Sequence, residues 1–121
     1  MGRYYNGDID GKFMFAVQGS DAGERFGAIE QESGYIDYVV YKEDSYKAIV
    51  EELKEIEETG VVDRVNEMFK DDWLWNDEKM KKFGVSSQDM SEYADHRMGK
   101  QMKDYFDNNP EETELYFTAE I

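Results

Sequence analysis

Carboxylates are the reactive groups this chain holds in quantity. Asp and Glu number 29 against 14 Lys plus Arg in 121 residues, a formal net charge of −15. Carboxylate-based hydrolysis needs one acid with a raised pKa in an apolar cleft beside an ionised partner. Only Asp71-Asp72, ahead of Trp73-Leu74-Trp75, has that character. A helix end that buries Trp73 and Leu74 and leaves the acids in water explains the same pattern. Cation binding needs oxygen ligands at fixed loop spacing, and Asn6-x-Asp8-x-Asp10-Gly11 matches the first half of an EF-hand. Its twelfth position is Val17 rather than a bidentate Glu, and the segment leads into a strand, so a turn of solvated acids is expected and no metal. His96 is the single histidine and there is no cysteine, which excludes thiol catalysis, Cys-ligated zinc and disulfides. Between Asp95 and Arg97, His96 is expected at the surface in a salt-bridged patch. Gly19 to Gly27 lacks the Lys-Ser/Thr of a phosphate-binding loop. No catalytic residue and no cofactor are expected.

Recognition by charge is the chemistry that remains. A strongly acidic protein repels nucleic-acid phosphates and anionic membranes and meets a basic protein groove faster. Two segments carry the densest acids. One is the run Glu51 to Glu58, preceded by Glu43 and Asp44, with Glu51, Glu55 and Glu58 at helical spacing. The other is Asp71 to Glu78, where Asp71, Asp72, Asp77 and Glu78 flank Trp75. Such carboxylates can occupy a groove whose Lys and Arg are arranged for phosphates, and an exposed Trp is a strong interface anchor. The bland alternative is a set of solvated faces that keeps a small protein soluble. The basic residues Lys79, Lys81, Lys82, Arg97, Lys100 and Lys103 are expected to complete i,i+4 pairs with Glu78, Glu92 and Asp104.

These residues need elements to hold them. At this length, with 40% hydrophobic and 15% aromatic residues and one Pro, the chain reads as one folded domain over residues 1–121. Asn6-Gly7 and Asp10-Gly11 mark turns. A first strand is predicted over Lys12–Gln18, with Phe13, Phe15 and Val17 on one face. Gly19 to Gly34 reads as a loop with a short helical turn around Asp21–Phe26. A second strand is predicted over Tyr35–Lys42. Asp44 or Ser45 should cap a helix that runs to Thr59 and closes at Gly60, with Tyr46, Ile49, Val50, Leu53 and Ile56 inward. A second helix is predicted from Val61 to Trp73 on a stripe of Val62, Val65, Phe69 and Trp73. Asp77–Gly84 reads as a charged loop. Ser86 with Asp89 resembles a capping box and opens a third helix to Asp107. That helix should turn Met90, Tyr93, Ala94, Met98, Gln101, Met102, Tyr105 and Phe106 inward. Asn108-Asn109-Pro110 stops it. Thr113–Ala119 forms a last strand, most simply paired with the early hairpin. The predicted order is β-β-α-α-α-β, an α+β fold with helices on one face of a small antiparallel sheet.

The opening Gly2-Arg3-Tyr4-Tyr5-Asn6-Gly7-Asp8-Ile9-Asp10-Gly11-Lys12-Phe13 resembles the start of small acidic proteins encoded in bacteriophage genomes. Phe26-Gly27, Arg97-Met98-Gly99-Lys100 and the closing Phe117-Thr118-Ala119-Glu120-Ile121 are similar to them too, while residues 43–85 match thinly. The resemblance implies a viral accessory protein and no particular activity. In size, charge and lack of catalytic motifs the chain looks like an anti-CRISPR or DNA-mimic inhibitor. The expected partner is a basic host protein, such as a nucleic-acid-handling enzyme, bound through Glu51, Glu55, Glu58, Asp71, Asp72, Trp75, Asp77 and Glu78. Direct nucleic-acid or membrane binding is not expected. No apolar stretch approaches the ~20 residues of a membrane span and the opening residues lack a signal-peptide core, so the expected location is the host cytoplasm. The alternative is a phage assembly protein whose last strand pairs across a homodimer boundary. A third reading is a hydrolase or metal binder at the loop acids.

Overall fold

The computed structural model describes residues 4–13, 18, 22–31, 37–70 and 76–119. Its strands are β1 (Tyr4–Gly7), β2 (Gly11–Lys12), β3 (Ile29–Gln31), β4 (Asp37–Tyr41) and β5 (Glu114–Ala119). Its helices are α1 (Lys42–Glu58), α2 (Val61–Met68), α3 (Asp77–Phe83) and α4 (Ser87–Asn108), with a 3₁₀ turn at Ala22–Phe26. The strands form one antiparallel sheet in the order β2-β1-β5-β4-β3, and the helices share a core with its inner face. The α+β architecture is as predicted.

Strand alternation decides which side chains meet the helices. In β5, Leu115, Phe117 and Ala119 are buried in the core, whereas Glu114, Tyr116 and Thr118 point to the other face. In β4, Tyr38 and Val40 join the same core. Tyr38 stacks on Phe117 at 5.2 Å between ring centroids. β5 pairs with β1 (Tyr5 opposite Ala119) and also with β4 (Tyr41 opposite Glu114). The last strand is therefore central rather than an edge, and pairing of β5 across a subunit boundary is ruled out because both its sides are occupied. The edges are β2 and β3.

Several expectations need correction. Tyr4–Lys12 is a hairpin, not only turns. It buries Tyr5, whose ring lies 4.9 Å from that of Phe13. Of the strand predicted over Lys12–Gln18, Lys12 ends β2 and Phe13 is buried outside any strand, while residues 14–17 lie outside the described residues. The 3₁₀ turn falls where a helical turn was predicted, but Ile29–Gln31, read as loop, pairs with β4 as an edge strand. The helix α1 starts directly after β4 at Lys42, with Tyr41 at the N-cap and no side-chain cap. Ser45, expected as a cap, is buried in the helix instead, and Glu43 and Asp44 occupy the first turn, where the helix dipole favours acids. Its C-terminus is as predicted: Gly60, with φ of 79°, takes the left-handed conformation, and its N–H donates to Glu57 O at 3.1 Å.

The helix α2 ends at Met68 with Val61, Val65, Met68 and Phe69 buried; Val62 is only half-buried, and Trp73 lies outside the described residues. Asp77–Gly84 is not a loop. It is the helix α3, anchored in the core by Met80 and capped by Asn76 Oδ1, which accepts the Lys79 N–H at 2.9 Å. The capping box of α4 is as read: Ser86 Oγ accepts the Asp89 N–H at 3.1 Å and Asp89 Oδ2 accepts the Ser86 N–H at 3.0 Å. Along α4 the buried side is Met90, Tyr93, Ala94, Met98, Met102 and Phe106, with Gln101 and Tyr105 half-buried. Gly99 lets the Phe26 ring lie against the α4 backbone, because a Cβ there would sit 2.4 Å from a ring carbon. Among the described residues no helix is long and apolar enough to cross a membrane.

Candidate partner-binding surfaces

On α1 the core takes Ile49, Leu53 and Ile56, so residues on the opposite side of the helix face solvent. Glu51, Glu55 and Glu58 follow one another at i, i+4 and i+7, and Asp44 continues the row toward the N-terminus; all four are exposed. At 1.5 Å per residue this row is about 21 Å long. Lys47 and Lys54 lie along one flank. Among the described residues no cation pairs with Glu51, Glu55 or Glu58.

Four cations are engaged elsewhere. Arg25 binds three carboxylates from two helices: Glu52 on α1 through Nε at 2.9 Å, and on α4 Glu92 at 2.6 Å and Asp95 at 3.1 Å through Nη1. Burial alone would lower its pKa, but the hydrogen bonds it donates to Glu92, Glu52 and Asp95 outweigh it and raise the guanidinium above its ordinary value. Lys100 pairs with Asp104 at 3.0 Å and Lys103 with Asp107 at 2.6 Å, both i,i+4 as expected in kind. Glu92, expected to pair along its own helix, turns to Arg25 instead. Arg64 reaches Asp89 at 3.3 Å.

Burial, only partly offset by Arg25 and by the Gln18 amide at 3.1 Å, pushes the Asp95 carboxyl up. The half-buried carboxylate is tied to two donors, Arg25 and Gln18. His96 departs from its expected surface position: it is 8% exposed, with Nε2 3.2 Å from Glu57 Oε1, and so joins α4 to α1. The Asp8 carboxylate is structural as well. Asp8 Oδ2 accepts the Tyr116 N–H at 2.8 Å, and the Asp8 N–H donates to Tyr116 O at 2.8 Å, which prolongs the β1–β5 pairing. The Asp10 N–H donates to Gln101 Oε1 at 3.1 Å. Among the described residues no group of three His, Asp or Glu is placed to hold a metal.

The second acid segment is only partly described. Asp71, Asp72 and Trp75 lie outside the described residues. Asp77 and Glu78 are exposed in the first turn of α3, where they suit the helix dipole. The helices α1 and α3 each pack on α2, so the two acid groups stand on different helices.

A second surface was not singled out from the sequence. The sheet face turned away from the helices carries the row Ile29, Val39 and Tyr116 across β3, β4 and β5. Val39 is fully covered, while Ile29 and Tyr116 are each 50% exposed. Tyr41, Glu114, Asp37 and Thr118 share this face, and Tyr4 lies beyond on β1. The Tyr116 hydroxyl donates to Glu114 Oε2. That bond, then the small desolvation there and the nearby charges of Glu114, Tyr41 and Asp8, push the phenol up to about 12. Beside it a cleft of about 690 Å³ opens among Tyr41, Tyr46, Glu43, Asp44, Glu114 and Lys47. The strand alternation around Tyr116 was the available signal, once it is known which face the helices cover.

No family model, no curated protein and no solved structure matches this chain.

Proposed function

We propose that this chain is a non-enzymatic acidic binding protein that blocks a basic groove on a partner, of the anti-CRISPR or DNA-mimic kind, and serves a virus as an accessory factor. The observation that supports this reading is the row Glu51, Glu55 and Glu58. These are exposed carboxylates that no cation among the described residues pairs with, on a 17-residue helix, in a chain whose Arg25, Lys100 and Lys103 are bound internally. A helix held by Ile49, Leu53 and Ile56 presents its charges at fixed spacing, so little backbone freedom is lost on binding. The partner's Lys and Arg, already arranged for phosphates, would pair with them. Asp77, Glu78 and the segment Asp71, Asp72 and Trp75 belong to the same reading as a second contact.

The test is capture of a partner from host lysate by the tagged protein and by a triple variant, Glu51→Lys, Glu55→Lys and Glu58→Lys, at low and high salt. A nucleic-acid-handling protein retained at low salt, shed at high salt and lost by the variant supports the reading. Equal capture by a folded triple variant sinks it. Recovery of only the chain itself would favour assembly, which then has to use the β2 or β3 edge.

A further inference from the structure

The sheet face opposite the helices is a surface the acidic-helix reading does not use. Its rings are exposed, its rim is acidic, and it runs into a cleft. We infer that the strip formed by Tyr41, Glu114 and Tyr116, with the adjoining cleft, is a docking site for an arginine-bearing segment of a partner protein.

Charge selects the occupant. The strip is bordered by Asp8 and Glu114, and among the described residues the same face adds the cation Lys12. Glu43 and Asp44 add two more carboxylates in the cleft, against Lys47 and a Lys42 that is turned to Pro110 O at 3.3 Å. A second copy of a chain at −15 is repelled by such a surface, and so is a phosphate. The face also shows how a cation is received, since Lys12 Nζ lies 6.0 Å from the centre of the Tyr4 ring. Over Tyr116 no cation lies among the described residues. A planar guanidinium can stack on that ring, give its fork of N–H groups to Glu114 and Asp8, and lay its aliphatic stem toward the exposed Ile29. A lysine ammonium can use the charge but not the stacking plane, so arginine is the preferred cation. Tyrosine and arginine are also the residue types that dominate interface energetics.

Glu51, Glu55 and Glu58 do not line the cleft, although Asp44 at the head of their row does, and the experiment separates the two surfaces. A Gly-Arg-Gly-Arg-Gly peptide and its lysine counterpart are titrated into ¹⁵N-labelled protein, in 150 mM salt of the order that screens surface charge beyond ~8 Å. Amide shifts at Tyr41, Glu114, Tyr116 and Asp8 are expected, with the lysine peptide weaker by roughly two- to five-fold. Tyr116→Ala and Glu114→Gln, both at exposed or half-exposed positions, should erase those shifts. The variant Glu51→Gln, Glu55→Gln and Glu58→Gln should retain them. Shifts spread over all acidic surfaces, equal response to both peptides, or shifts confined to residues 51–58 of α1 would overturn the proposal. Concentration-dependent broadening at Tyr116 without peptide would overturn it too, by assigning the face to self-association. Thermal melting of each variant guards against reading unfolding as lost binding.

Discussion

Replacing Gly99 by alanine tests whether the contact between the 3₁₀ turn and α4 is as tight as it looks. The added Cβ would meet three Phe26 ring carbons at 2.4, 2.6 and 2.9 Å. Ordinary carbon contacts lie near ~3.5–4.0 Å, so the ring has to retreat by about 1 Å. Phe26 is fully buried, which leaves it no solvent to retreat into. Overpacking costs about 1–3 kcal/mol, and a fully buried ring displaced by about 1 Å belongs in the upper part of that range, about 2–3 kcal/mol. Alanine returns about 1 kcal/mol through its better helix propensity. The net loss expected is about 1–2 kcal/mol. For 121 residues the unfolding entropy is about 0.25 kcal/mol per degree, so Tm should fall by about 4–8 °C in differential scanning calorimetry. Phe26→Leu shortens the offending ring, and Gly99→Ala made on that background should cost about 1 kcal/mol less than on the native one. A variant with unchanged or raised Tm would refute the reasoning, because the turn would then have slack against α4. In that case Arg25, the residue just before Phe26, would not owe its reach to Glu52, Glu92 and Asp95 to this packing.

Other expectations follow from charge and capping. Arg25→Met strands the half-buried Asp95 and, discounted for partial exposure, should cost about 1–2 kcal/mol at neutral pH in urea unfolding. Because the folded pKa of Asp95 is raised, its contribution to stability is fully present below its unfolded value and fades as pH rises through the folded one, so the Arg25→Met deficit should shrink on acidification. Asp107 has the opposite sign. Lys103 and Tyr46 hold it below its ordinary 3.8, so its contribution is present above that value and lost as pH falls through the folded pKa. Asp107→Asn should flatten the acid limb of a melting-temperature profile there. Asn76→Ala removes the α3 cap and should cost about 1 kcal/mol, with faster amide exchange confined to residues 77–83.

What could be read from the sequence was local. The spacing of Ile49, Leu53 and Ile56, the Ser86–Asp89 box and Gly60 each encode structure within a turn or two of themselves, and α1 and α4 came out close to their bounds. The carboxylate row followed from the same periodicity. The helix α3 was missed although Asn76, the first-turn acids, Lys81, Lys82 and Gly84 are the right start and stop signals, because Met80 is its one fully buried residue and a single anchor makes no stripe. His96 looked like a surface residue because its partner, Glu57, is on another helix. The central place of β5 depends on β1, and Asp8 and Tyr116 are 108 residues apart. The sheet-face site is illegible for the same reason, since whether Tyr116 is covered depends on where distant helices settle.

That central strand also sets the order in which the molecule can be completed during synthesis. The β1–β2 hairpin and the β3–β4 hairpin are made early, but each keeps an inner edge of unpaired backbone until Glu114–Ala119 has been translated and inserted between them. Closing a span that long is entropically slow, and open strand edges invite pairing with neighbouring chains in the interval. All four described helices are made during the same wait, with Phe106 and Met102 lacking the Leu115 and Phe117 side of their core. Mutual repulsion between nascent chains this acidic would hold them apart while the gap stays open, which gives the charge a task before any partner is met.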